Sequence, residues 1–160
     1  MLQNTFENQL QALNLTLPTP PPPAAAYIPY QWSGSQLWVA GQIPMVNGHL
    51  IHTGKVGDSI TLEQAQECAR ACVLNILAQL NKALTERGGS FNQLTQIVKL
   101  NVFVASHPTF DQQHLVANGA SLLIHELLGQ AGVHSRSAVG VSSLPLNCPV
   151  EIDALIDCQF

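Results

Sequence analysis

Charge is scarce in this chain. Only 10% of its 160 residues are Asp, Glu, Lys or Arg, against the usual quarter or so of a globular domain. No charged residue occurs from Asn8 to Gly54. A monomer with so little charge would have a sticky surface, so much of that surface is expected to be covered by other copies of the chain. Basic charge is the scarcer sign. The formal net charge is −4 and the pI is near 5.8, which argues against a nucleic-acid partner. No C-x-x-C pair exists, and a chain long enough to bury its own core has little need of a disulfide framework. Four cysteines are present. No apolar run is long enough to span a bilayer, and the polar first residues lack the basic-then-apolar order of a secretory leader. The expectation is a reduced, cytoplasmic protein with no membrane partner. Phosphate-cradling glycine loops and nucleophile elbows are missing too. His49 and His52 have no third ligand at a suggestive spacing, so they read as loop residues and no metal is expected.

What is present is apolar: 46% of residues, enough for one globular domain with a substantial core. Residues 4–15 predict a short helix, with Phe6, Leu10 and Leu13 at helical spacing. Pro18 and Pro20 to Pro23 then impose an extended segment. Residues 1–26 are thus an arm, and 27–160 the domain. Ser33-Gly34-Ser35 splits Tyr27 to Gly41 into a hairpin. Pro44 to Gly57 reads as a loop, with room for a short strand at Leu50-Ile51. Thr61 and Gln64 form a capping box for a long helix that Gly88 closes. Ile97 to Val104 is a strand with one wholly apolar face. Thr109 and Gln112 are expected to cap a second helix to about Leu128, weakened or kinked at Asn118-Gly119. Two strands finish the chain. The order β-β-α-β-α-β-β predicts an α+β fold: a mostly antiparallel sheet with two helices on one face. The other face would need covering, and self-association would cover it.

One residue stands out against this apolar background. Arg136 is the only charged residue between Leu127 and Val150. An arginine is always protonated, and its flat fork of donors matches a carboxylate. The next charge is Glu151, in the final strand. There Val150, Ile152, Ala154 and Ile156 alternate with Glu151, Asp153, Leu155 and Asp157, so Glu151 faces away from the helices. In the strand before, Arg136 shares a face with Ala138 and Gly140. The simplest arrangement puts Arg136 and Glu151 together on the open face, with small neighbours leaving room for a ligand or another subunit. Bland roles stand beside these: an interface ion pair for Arg136 and a solvated surface position for Glu151. Cys68 and Cys72 lie on or beside a buried helical stripe and read as structural. His134 could edge a pocket beside the arginine.

Several short motifs together resemble the RidA/YjgF family. They are Pro29-Tyr30, Gly41-Gln42-Ile43-Pro44, Val98-Lys99-Leu100-x-Val102-Phe103-Val104, and Arg136-Ser137-x-Val139-x-Val141-x-x-Leu144-Pro145 followed by Val150-Glu151-Ile152-x-Ala154. The interval from Arg136 to Glu151 is fifteen positions, as in the family signature. The resemblance covers roughly Tyr27 to Asp157. The Pro-rich arm and the longer loop before Thr61 suggest a divergent branch. The resemblance implies a chorismate-mutase-like fold and a homotrimer with ligand clefts between subunits. It also implies hydrolysis of 2-imino acids or their enamine tautomers to 2-keto acids and ammonia, with no cofactor. By the same resemblance Arg136 would grip the substrate carboxylate and Glu151 would orient water and move protons. Tyr30, and backbone around Gly41, would line the pocket. Three positions depart from the family pattern. Ala40 stands where a serine usually precedes the glycine, and Ala138 where some members carry cysteine. Asn118 corresponds to a helix asparagine only with altered spacing. Two rival functions stay open: a keto-acid sensor that does no chemistry, and a ribonuclease or translation inhibitor.

Overall fold

The computed structural model describes residues 1–23 and 25–160. Helix α1 spans Leu2–Ala12. Strands β1 (Tyr30–Ser33) and β2 (Gln36–Gln42) form the expected hairpin. A second, two-residue hairpin follows, β3 (Met45–Val46) with β4 (His49–Leu50). Its turn is Asn47-Gly48, both at positive φ (51° and 81°). That is the dipeptide such turns favour, so the loop expected here carries more structure than its composition suggested. Helix α2 (Leu62–Glu86), strand β5 (Leu94–Ala105), helix α3 (Gln113–Leu128), strand β6 (Ser135–Val141) and strand β7 (Val150–Cys158) complete the chain.

The five-stranded sheet has the order β1-β2-β7-β5-β6. Only the β5–β6 pair is parallel; α3 is its crossover. The fold is therefore α+β and mostly antiparallel, as the element order implied. Alternate residues of β7 are buried, and its apolar set joins the stripe of α2 and the inner face of α3 in one core. Helix α1 is a third helix. Phe6 is 1% exposed and stacks on Phe91 with ring centroids 3.9 Å apart, so the arm's helix shares that core.

Local chemistry explains most boundaries. The Thr61–Gln64 capping box forms in both directions, and Gly88 at φ 72° follows the helix end. The expected cap of α3 does not form. The helix starts at Gln113 and has no side-chain cap, because Thr109 Oγ1 is engaged with His107 Nδ1 at 2.9 Å. Asn118-Gly119 leaves α3 one unbroken helix. A Cβ at Gly119 would strike the backbone carbonyl of Gln66, so the glycine lets α2 and α3 approach closely. Among the described residues no helix is long and apolar enough to cross a membrane.

Candidate active site

Register fixes the direction of each candidate side chain. Arg136 pairs with Leu100, and Leu100 pairs with Ala154; both partners are buried. Directly opposed residues share a face, so Arg136 lies on the helix side of the sheet. Glu151 pairs with Phe103, an odd number of residues from Leu100, and so lies on the open side. Within one chain the two groups face opposite ways. The expectation that both lie on the open face is corrected. Strand β6 is an edge strand, and α3 reaches over it to offer acceptors that the open face lacks.

The arginine corner is a chain of hydrogen bonds. Arg136 Nη2 donates to the carbonyl of His114 at 2.9 Å. Its Nη1 donates to Ser121 Oγ, also at 2.9 Å. Ser121 Oγ meets His134 Nε2 at 2.9 Å, and His134 Nδ1 meets the Gly132 carbonyl at 2.6 Å. A carbonyl only accepts, so Nδ1 carries the proton and Nε2 accepts from the serine. Burial, and then the nearby guanidinium, push the His134 pKa down, which suits a neutral ring. The only ion pair among the described residues joins His52 to Glu67. Arg136 thus rests on two neutral oxygens. It borders a hollow of about 300 Å³ lined also by Ser121, His125, Val133 and His134. Asn118 lies one helical turn from both His114 and Ser121, on the same face of α3. Ala138 packs partly against the core on Arg136's side. Gly140 borders a separate hollow of about 370 Å³ with Ser106 and Gln113, and a Cβ there would lie 2.9 Å from Gln113 Nε2 and from Ser106 Oγ.

The glutamate corner is built differently. Strand β2 changes register against β7 between Val39 and Gln42. This irregularity brings the Gly41 backbone against Glu151, and a Cβ at Gly41 would overlap Glu151 Oε1. Only glycine fits. Glu151 borders a cavity of about 460 Å³ walled by Pro21 to Pro23, Tyr27, Pro29, Ile43, Met45, Pro145 and Leu146. Burial, and then Asp153, raise its pKa above the usual glutamate value. Ala40 borders the adjoining open-face hollow with Lys99, Asn101 and Asp153. The Tyr30 hydroxyl does not reach Glu151. It donates to Glu86 Oε2 at 2.6 Å, on the helix side of the sheet, and burial raises its pKa first of all.

Some positions escaped the sequence reading. Tyr27, rather than Tyr30, borders the Glu151 cavity. Asn75 Nδ2 donates to the carbonyls of Ile43 and Met45, both at 3.0 Å. Gln79 Nε2 donates to the Pro21 carbonyl at 2.9 Å. These two buried amides interrupt the apolar stripe of α2 one turn apart, a visible signal. Ser121 had none, since nothing in the sequence ties it to a strand fifteen residues on. Cys68 and Cys148 are buried free thiols with pKa pushed up to about 12 by burial, so neither is poised as a nucleophile. Among the described residues no group of three or more His, Cys, Asp or Glu could hold a metal ion.

Residues 7–155 match the family described as "YjgF/chorismate_mutase-like, putative endoribonuclease". The chain belongs to the RidA/YjgF family. Protein TCP17 of Trypanosoma cruzi is 44% identical over 149 residues, 92% of this chain and 91% of that protein. The crystal structure of Atu1372 from Agrobacterium tumefaciens, a protein of unknown function, superposes with a TM-score of 0.90 at 45% identity. That match covers 99% of this chain and 95% of Atu1372. Yeast Mmf1 is more distant: its crystal structure gives a TM-score of 0.56 at 27% identity, over 87% of this chain and 92% of Mmf1. This RidA/YjgF chain therefore sits nearer Atu1372 than Mmf1.

Proposed function

We propose that this protein is a cofactor-free deaminase that hydrolyses 2-imino acids to 2-keto acids and ammonia. The supporting observation is Arg136: a cation beside a hollow, held by neutral oxygens, with no carboxylate paired to it among the described residues. A guanidinium so placed suits the carboxylate of a small acid. Water then adds to the protonated C=N carbon and ammonia leaves. That step asks for a carboxylate that accepts a proton, and Glu151, whose proton affinity burial raises, suits it.

The two groups lie on opposite sides of one chain, so the cleft is completed by a neighbouring copy. We infer a homotrimer in which Arg136 of one subunit meets Glu151 and Gly41 of the next. The largely open sheet face, with Trp38 52% exposed and Val139 46% exposed, supports such self-association. Four buried free thiols suit a reducing compartment such as the cytoplasm.

The test is release of keto acid and ammonia from imines generated in situ by an amino-acid oxidase. Wild type should accelerate it, and R136A should lose at least about 100-fold in kcat/KM, the worth of two charge-assisted hydrogen bonds. Full activity in R136A would refute the clamp. Ala40 and Ala138, which remove side-chain groups from the cleft, favour a second reading: a keto-acid sensor without turnover. Calorimetric binding of keto acids with no imine hydrolysis would establish it. RNA cleavage is disfavoured by the net charge of −4.

A further inference from the structure

The cavity beside Glu151 is larger and more apolar than a small imino acid needs. Its volume is about 460 Å³. Among the described residues, Glu151 is the one carboxylate on its wall. Around it stand Pro22, Pro23, Tyr27, Met45 and Leu146. The prolines belong to the arm, a stiff stretch whose shape survives without internal hydrogen bonds. The arm is docked, not draped. Phe6 anchors it in the core upstream, and Gln79 holds the Pro21 carbonyl. Asn75, one turn before Gln79 on α2, holds the carbonyls of Ile43 and Met45 on the adjoining wall. One helix therefore fixes two walls at a set separation, so the apolar surface is formed before a ligand arrives.

We propose that the proline arm is a specificity wall, and that the substrate is an imino acid with a bulky apolar side chain, branched or aromatic, seated against Pro22, Pro23, Met45 and Leu146. This rests on the deaminase reading and narrows its substrate class. Apolar contact with such a side chain favours it over a methyl group, while the protonated nitrogen faces Glu151 and the carboxylate reaches the neighbouring subunit's arginine.

The experiment compares kcat/KM for imines made from phenylalanine, leucine and alanine by an amino-acid oxidase. Wild type should prefer the first two by at least about tenfold, since each added methylene in a fitted pocket counts for that order. The double variant P22G/P23G should bring the ratio to within about threefold by loosening the wall, and L146A should lower it independently. Each variant is checked for an unchanged oligomer and melting curve. Equal rates across the three imines, or a preference that survives both variants, would overturn the inference and leave the deaminase reading standing. If wild type hydrolyses no imine, the deaminase reading fails by itself. The wall is then judged by calorimetry with 4-methyl-2-oxopentanoate and pyruvate. Tenfold tighter binding of the former, lost in P22G/P23G, supports it; equal binding overturns it.

Discussion

The arginine corner and the glutamate corner solve opposite problems. At the first, a charge that cannot be discharged is kept at the sheet edge by oxygens that do not neutralise it. A neutral histidine and a serine fix its direction. At the second, a charge that can be discharged sits among prolines and a leucine, where burial already favours its neutral form. One corner is a permanent cation seeking an anion, and the other is a proton acceptor whose affinity is tuned. On the proposed function each corner is half a site. An acid in the same chain would neutralise the clamp permanently, so the cation and the carboxylate are kept on opposite faces of one sheet.

The sharpest way to break this contrast is to remove the base and keep the clamp. E151Q should cut kcat by about 10²- to 10⁴-fold, the range for one general base, with KM little changed. A large rise in KM at constant kcat would make Glu151 a binding group instead. The pH profile of wild type should carry an acid limb above the ordinary glutamate range. Activity rises as pH climbs through it, because the base must be ionised, and the limb should vanish in E151Q. Next comes G41A. A methyl group there displaces the carboxylate, so kcat should fall by about 10-fold or more while the sheet still forms; unchanged kcat would show that the Gly41 contact has no role. S121A is milder. It takes one acceptor from Arg136 and one donor from His134, and should raise KM about fivefold, the worth of roughly one hydrogen bond, with kcat preserved.

The smallest effect is on stability. The Glu151 pKa is raised on folding, so its stabilising contribution is complete below the unfolded value and is lost as pH rises through the folded one. Glutamine stays neutral. E151Q should therefore be more stable than wild type at pH 7, by under about 1 kcal/mol after solvent screening. Urea melts should show that advantage closing below about pH 4. A less stable E151Q at pH 7 would contradict the assigned cause of the shift.

How far these corners were legible depends on how local their causes are. The Thr61–Gln64 box and the alternation of β7 are written in adjacent residues, and both formed as read. The face of Arg136 was not. Its strand alternates Arg136, Ala138 and Gly140 with Ser137, Val139 and Val141, two sets of similar polarity. The choice was made by acceptors on α3, fifteen and twenty-two residues earlier. Tyr30 is likewise oriented from afar: its hydroxyl partner Glu86 is fifty-six residues away. The Thr109 cap was lost to a competitor two residues away, His107, which capping statistics do not weigh. The polar pair Asn75 and Gln79 was readable as an interruption of an apolar stripe, though the carbonyls they hold were not.

In the proposed trimer each cleft takes its arginine from one copy and its glutamate from another. Equal amounts of R136A and E151Q, each inactive alone, should be unfolded together, refolded and assayed. Random mixing in a cyclic trimer puts an intact arginine opposite an intact glutamate in about one cleft in four, so roughly a quarter of wild-type activity should return. Mixed assemblies that form but stay as inactive as either parent would contradict the account.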